Sequence, residues 1–142
     1  MLHGIPKIIS PDLLKILMEM GHGDELVLAD ANFPAASHAR RLVRCDGHPI
    51  PELLDAILQL FPLDPYVDKP ASLMQVVPGD PVETPIWSVY GGIIDARAGL
   101  SSPFEQVERF AFYERARQAY AIVATGESAL YANLILKKGV IA

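Results

Sequence analysis

Apolar positions along the chain fall into runs of two periods. From Leu13 to Met20 they recur at helical spacing (Leu13, Leu14, Leu17, Met18, Met20). Ser10-Pro11-Asp12 stands before them as N-cap, first helical residue and acidic first-turn residue. Gly21 is the expected helix end. Leu26 to Ala29 is a continuous apolar run of strand length and reads as a buried strand. A Pro34-marked loop over 32–37 follows, with His38 in it or in a short helical turn. A short strand is expected over Leu42–Cys45, ended by Asp46-Gly47. Residues 51–60 read as a second helix, with Leu53, Leu54, Ile57, Leu58 and Phe61 as its stripe.

A proline-rich connection over 61–70 leads to an expected strand over 73–77, stopped by Pro78-Gly79-Asp80. Thr84-Pro85 opens a third helix carrying Ile86, Val89, Tyr90, Ile93 and Ile94, although Gly91-Gly92 weakens its propensity. After a loop over 99–103, the pattern predicts a strand over 107–110, a helix over 112–120 and a fully apolar strand over 121–125. A turn over 126–128 precedes the last strand, over 131–138. Helices and strands alternate throughout, which predicts an α/β fold with a largely buried sheet. No linker or repeat divides residues 1–142, so a single domain is expected.

Composition adds a partner. Hydrophobic residues make up 51% of the 142 and charged ones 20%, with a mean hydropathy of +0.24. That is apolar for a small domain, and large exposed apolar patches mark interfaces, so a homo-oligomer is expected. The alternative is a monomer with an unusually apolar core. Twelve basic against 17 acidic residues give a net charge of −5, which argues against nucleic acid. No apolar stretch reaches the ~20 residues of a membrane helix, and no signal-peptide pattern opens the sequence. The lone Cys45 excludes an internal disulfide framework and suggests a reducing, cytoplasmic home.

The candidate chemistry is organised around Met20-Gly21-His22-Gly23-Asp24-Glu25 and the strand that runs from it to Asp30. The flanking glycines allow positive φ and close approach of a ligand. Histidine's unperturbed pKa of about 6.5 suits proton transfer near neutrality. Asp30 stands at the strand end, where α/β folds place ligand groups. Arg109, Tyr131 and Asn133 complete a set of polar residues near expected strand ends. Tyr131 and Asn133, two apart in a strand, would share one face. A bound polyol could satisfy them, or backbone or an oligomer partner could. Arg109 could bind a hydroxyl or pair with Glu108, Glu114 or another carboxylate. No phosphate loop, dinucleotide fingerprint, zinc spacing or nucleophile elbow is present, so neither metal nor cofactor is expected.

Met20-Gly21-His22-Gly23-Asp24-Glu25 with Asp30 resembles the sugar mutarotase family that includes L-fucose mutarotase and D-ribose pyranase. Arg109-Phe110-Ala111-Phe112-Tyr113-Glu114-Arg115-Ala116 looks like its fucose branch, where the ribose branch carries a histidine in place of that arginine. Thr125-Gly126-Glu127 and Tyr131-Ala132-Asn133-Leu134-Ile135-Leu136-Lys137-Lys138-Gly139 match the family's C-terminal strand, with Ala132 as in the ribose branch. The likeness runs in order along essentially the whole chain. It implies a mixed sheet flanked by helices, His22 as general acid, and Asp30, Arg109, Tyr131 and Asn133 as sugar ligands. In the chemistry of ring opening Tyr131 could shuttle the second proton, and Asp30 could orient His22 or hold a hydroxyl; the sequence leaves both roles open. The likeness further implies a decameric ring and a cofactor-free interconversion of monosaccharide anomers. A D-ribose or other pyranose mutarotase, and a non-catalytic monosaccharide-binding protein, are the alternative functions.

Overall fold

The computed structural model describes all residues, 1–142. The first helix, α1 (Pro11–Glu19), begins as its sequence dictates: the Ser10 side chain accepts from the Leu13 N–H at 3.1 Å, and Pro11 takes the first position. Its end differs from expectation. Met20, in an extended conformation, closes the helix, and the Gly21 N–H donates to the Asp24 carboxylate at 2.7 Å. Of the two glycines around His22, only Gly23 takes positive φ, at 86°.

The order continues with β1 (Glu25–Ala29), α2 (Ala35–His38), β2 (Leu42–Cys45), α3 (Ile50–Leu58) and β3 (Ala71–Met74). Then follow α4 (Pro85–Ala98), β4 (Phe104–Val107), α5 (Arg109–Gln118), β5 (Ala121–Thr125) and β6 (Leu134–Lys137). The six strands form one sheet in the order β2-β5-β1-β6-β3-β4. Neighbouring strands run parallel except β6, which is antiparallel to both β1 and β3. The sheet is therefore mixed and flanked by helices, as the resemblance implied.

Side-chain alternation along the strands sorts the core onto two faces. Leu26, Leu28, Val123, Leu134 and Leu136 pack with Leu13, Leu53, Ile57, Tyr90 and Ile94 of α1, α3 and α4. Val27, Ala29, Ile122, Ala124 and Ile135 pack with Phe33 and with Phe112 and Ala116 of α5. Covering both faces explains why β1 and β5 read as unbroken apolar runs.

Three expected elements are corrected. The strand expected over 107–110 is β4, three residues earlier. Arg109 and Phe110 belong to the first turn of α5, whose N-cap Glu108 accepts from the Ala111 N–H at 3.0 Å. Capping by that carboxylate ends the strand, and Phe110 faces solvent. The strand expected over 73–77 is Ala71–Met74, stopping three residues sooner. The last strand begins at Leu134, not Tyr131, because Tyr131 has φ 55°, outside strand geometry. α4 runs unbroken through Gly91-Gly92 and ends at Gly99 in the left-handed conformation, φ 69°.

Topology then fixes where loops meet. β1 and β3 both run antiparallel to β6, so the residues after β1, β3 and β4 and those before β6 gather at one end of the sheet. Residues before β1 and after β6 gather at the other.

Candidate functional site

Asp30 leaves the C-terminal end of β1. Its backbone N–H donates to Asn133 Oδ1 at 2.8 Å, and its own carboxylate accepts from the Asn32 N–H at 3.0 Å. Burial pushes the Asp30 carboxyl above the ordinary range, aided by the Glu127 charge and opposed by the N–H groups of Asn32, Phe33 and Ala132. Asn133 uses its carbonyl on Asp30, so its amide is the group left for a ligand.

Tyr131 arrives by a different route from the one its spacing suggested. With φ 55° it does not share a strand face with Asn133 by pleating. Its carbonyl accepts from the Trp87 indole N–H at 2.8 Å. The next carbonyl, Ala132, accepts from the buried Tyr90 hydroxyl at 2.8 Å. These two bonds from α4 hold a backbone conformation that costs a non-glycine residue on the order of 1–3 kcal/mol. The Tyr131 hydroxyl donates to Asp80 Oδ2 at 2.8 Å and accepts from the Val77 N–H at 3.3 Å.

Arg109 pairs with neither carboxylate it was expected to consider. Glu108 caps α5, and Glu114 bonds Arg117 and Gln118. The Arg109 guanidinium instead lies 4.6 Å from the Phe110 ring centroid. Asp30, Arg109, Tyr131 and Asn133 all line one cavity of about 280 Å³, together with Phe33, Tyr113 and Asp80. Two carboxylates, a guanidinium, two phenols and the amides of Asn32 and Asn133 against an aromatic wall make a chamber suited to a small polyol with an apolar edge.

His22 is not among them. It precedes β1, at the opposite end of the sheet from Asp30. Five strand residues at ~3.3 Å each separate the two by about 16 Å or more, farther than a monosaccharide reaches. His22 has its own setting. Its Nε2 lies 3.1 Å from Asp64 Oδ1, and its ring is 5.4 Å from that of Tyr66. The Asp64 side chain is 3% exposed and that of His22 is 45% exposed. The Tyr66 N–H is the main influence holding the Asp64 carboxyl below its ordinary range, and His22 adds to it against the cost of burial. The carboxylate thus braces the imidazole from the protein side while the ring faces outward. A groove of about 500 Å³ along Leu60, Pro62, Val67 and Leu100 has Asp64 in its wall.

Asp64, Asp80 and Tyr113 escaped the sequence reading. Asp64 lay in a stretch read only as proline-rich, and Asp80 in a tripeptide read only as a strand stop. Tyr113 sat inside the Arg109–Ala116 motif and offered a signal that was available.

The profile of the RbsD / FucU transport protein family matches residues 3–141. A protein of Homo sapiens named fucose mutarotase is 53% identical over 99% of this chain and 95% of its own length. A fucose mutarotase of Streptococcus pneumoniae solved in complex with L-fucose superposes with a TM-score of 0.94 and 59% identity, over 99% of this chain and 100% of that one. Bacillus subtilis RbsD complexed with D-ribose shares the fold alone, with a TM-score of 0.71 at 21% identity, over 100% and 99% of the two chains.

Proposed function

The chain belongs to the RbsD/FucU family, and on that premise we propose that it interconverts the α and β anomers of L-fucopyranose by ring opening and closure. It is thus an isomerase, and residues 1–142 form one sugar mutarotase domain. The observation that carries this reading is the convergence of Asp30, Arg109, Tyr131 and Asn133 on one cavity. Similarity at 59% identity to a protein solved with L-fucose supports the choice of sugar.

Opening a pyranose requires a proton on the ring oxygen and removal of one from the anomeric hydroxyl. Closure on the other carbonyl face reverses both. His22 delivers the first proton. With Nε2 turned to Asp64, Nδ1 is the nitrogen that meets the sugar. Tyr131 takes the second proton, while Asp30, Arg109 and Asn133 hold ring hydroxyls. Such acid–base catalysis contributes about 10²–10⁴-fold. No electron moves and no carbon bond changes, so the chemistry asks for no cofactor.

Because His22 and the cavity lie at opposite ends of β1, the working site joins His22 of one protomer to the cavity of another. Exposed apolar side chains flank both halves: Tyr66, 74% exposed, beside His22, and Phe110 and Leu130, 66% and 55% exposed, beside the cavity. Their burial in a homo-oligomer, a decameric ring, would account for the apolar composition. No helix is long and apolar enough to cross a membrane. A cytoplasmic home fits the single buried thiol of Cys45.

Exchange NMR on L-fucose, D-ribose, L-galactose and D-fucose at equal concentration tests the reading. The C5 methyl is worth roughly 0.8 kcal/mol, a few-fold in rate, so hydroxyl stereochemistry must supply the larger discrimination. L-fucose should exchange fastest, L-galactose moderately and D-fucose poorly. Faster exchange of D-ribose than of L-fucose would overturn the assignment of the sugar, and no exchange of any sugar would leave a binding protein.

A further inference from the structure

The segment between β3 and α4 carries no recognisable motif, yet it makes both hydrogen bonds to the Tyr131 hydroxyl. The phenol donates to Asp80 Oδ2 at 2.8 Å and accepts from the Val77 N–H at 3.3 Å. Asp80's other oxygen, Oδ1, accepts from the Val82 N–H at 3.3 Å, which closes the turn that presents the carboxylate. Both Asp80 and Tyr131 border the cavity.

A phenol has one proton and two lone pairs. Here the proton points at Asp80 and one lone pair is engaged by Val77. What remains toward the cavity is a single lone pair. An ionised carboxylate can only accept, so the phenol cannot turn its proton inward without losing a charge-assisted bond.

We propose that Asp80 is a positioning residue that fixes the direction of the Tyr131 hydroxyl, so that the phenol meets the sugar as an acceptor. The inference rests on the mutarotase reading above. As the ring opens, the anomeric O–H proton passes to Tyr131 Oη while the phenolic proton moves to Asp80 Oδ2. The anomeric C–O becomes the carbonyl, the C–O bond to the ring oxygen breaks, and that oxygen takes the proton from His22. Substrate loses one proton and gains one, and closure runs the same transfers backwards. The Asp80 bond also raises the phenol's pKa, opposed by Val77's N–H and by the charge of Arg109. Tyr131 therefore stays protonated between turnovers.

Asp80→Asn separates direction from structure. The amide oxygen replaces Oδ1 and keeps the Val82 N–H, which places the NH₂ group against Tyr131. The phenol then accepts from position 80, and its proton turns into the cavity. The expected result is a fall in kcat of roughly ten- to a hundredfold, the size of a lost charge-assisted hydrogen bond, with KM and thermal stability nearly unchanged. Asp80→Ala should lose a similar factor. In a Tyr131→Phe background neither substitution should have a further effect, since no hydroxyl remains to direct. Wild-type kcat in Asp80→Asn, or losses that multiply with Tyr131→Phe, would overturn the proposal. Absence of exchange in the unaltered protein would overturn the functional reading and this one with it, whereas intact wild-type exchange with multiplying losses overturns this one alone.

Discussion

Tyr90→Phe removes one oxygen from the interior and leaves the ring in place. Tyr90 is fully buried, and its hydroxyl donates to the carbonyl of Ala132, itself fully buried. Without that donor the carbonyl is left unpaired away from water, which costs about 1–3 kcal/mol. At about 2–4 °C per kcal/mol for a domain of this size, a central loss of ~2 kcal/mol lowers Tm by about 4–8 °C. The measurement needs one fixed protomer concentration, because assembly shifts Tm. The same bond clamps the residue after Tyr131, whose φ of 55° relaxes if one of its two α4 anchors goes. With 1.4 kcal/mol worth a factor of ten in population, the same ~2 kcal/mol taken from the clamp should lower L-fucose exchange by roughly thirtyfold. Burial pushes the Tyr90 phenol far above its ordinary pKa, so the hydroxyl stays protonated and the defect should be equal at neutral and mildly alkaline pH. An unchanged Tm together with an unchanged exchange rate would refute the clamp.

His22→Gln should reduce exchange by about 10²–10⁴-fold while the oligomer, followed by light scattering, survives; collapse of the oligomer would instead make His22 a packing residue. Gly126→Ala should destabilise by more than about 3 kcal/mol, beyond ordinary overpacking, because the added Cβ would stand 2.2 Å from the Asp46 carbonyl oxygen, a backbone atom that cannot step aside; chemical denaturation reads it. Arg115 joins Glu25 of β1 to Glu105 of β4. Burial raises the Glu105 carboxyl's pKa, but the hydrogen bonds from Arg115 and Ser72 outweigh it and hold the group below its ordinary range. A depressed folded pKa adds stability above the unfolded value and loses it as pH falls through the folded one. Urea midpoints should therefore drop on acidification below the ordinary glutamate range, and less steeply in Arg115→Met.

Much of the layout could be read from residue patterns because local signals agreed with the fold. Ser10-Pro11 capped a helix as expected, and the apolar runs at 26–29 and 121–125 are adjacent central strands. Misreadings arose where a single side chain decided. The short segment 107–110, with apolar Val107 and Phe110 at its ends, read as a strand, whereas the Glu108 side chain caps α5 there. Tyr131 and Asn133 reach one cavity not by pleating but because α4 holds Tyr131 at positive φ. The four cavity residues were named from the sequence, whereas the bracing of His22 by Asp64 depends on a contact 42 positions apart that no local pattern carries. The separation of His22 from Asp30 was legible in principle, since a whole strand lies between them.

That separation leads to the most direct measurement. His22→Gln and Tyr131→Phe oligomers, each nearly inactive alone, are unfolded together, refolded as hybrids and assayed for L-fucose anomer exchange, with hybrid assembly verified by native mass spectrometry. If each site takes His22 from one protomer and Tyr131 from another, random equal mixing gives about a quarter of the sites both native halves in a symmetric assembly, and exchange should return to about that fraction of the unaltered rate. Hybrids that form and remain as inactive as their parents would show that His22 and the cavity do not meet across protomers.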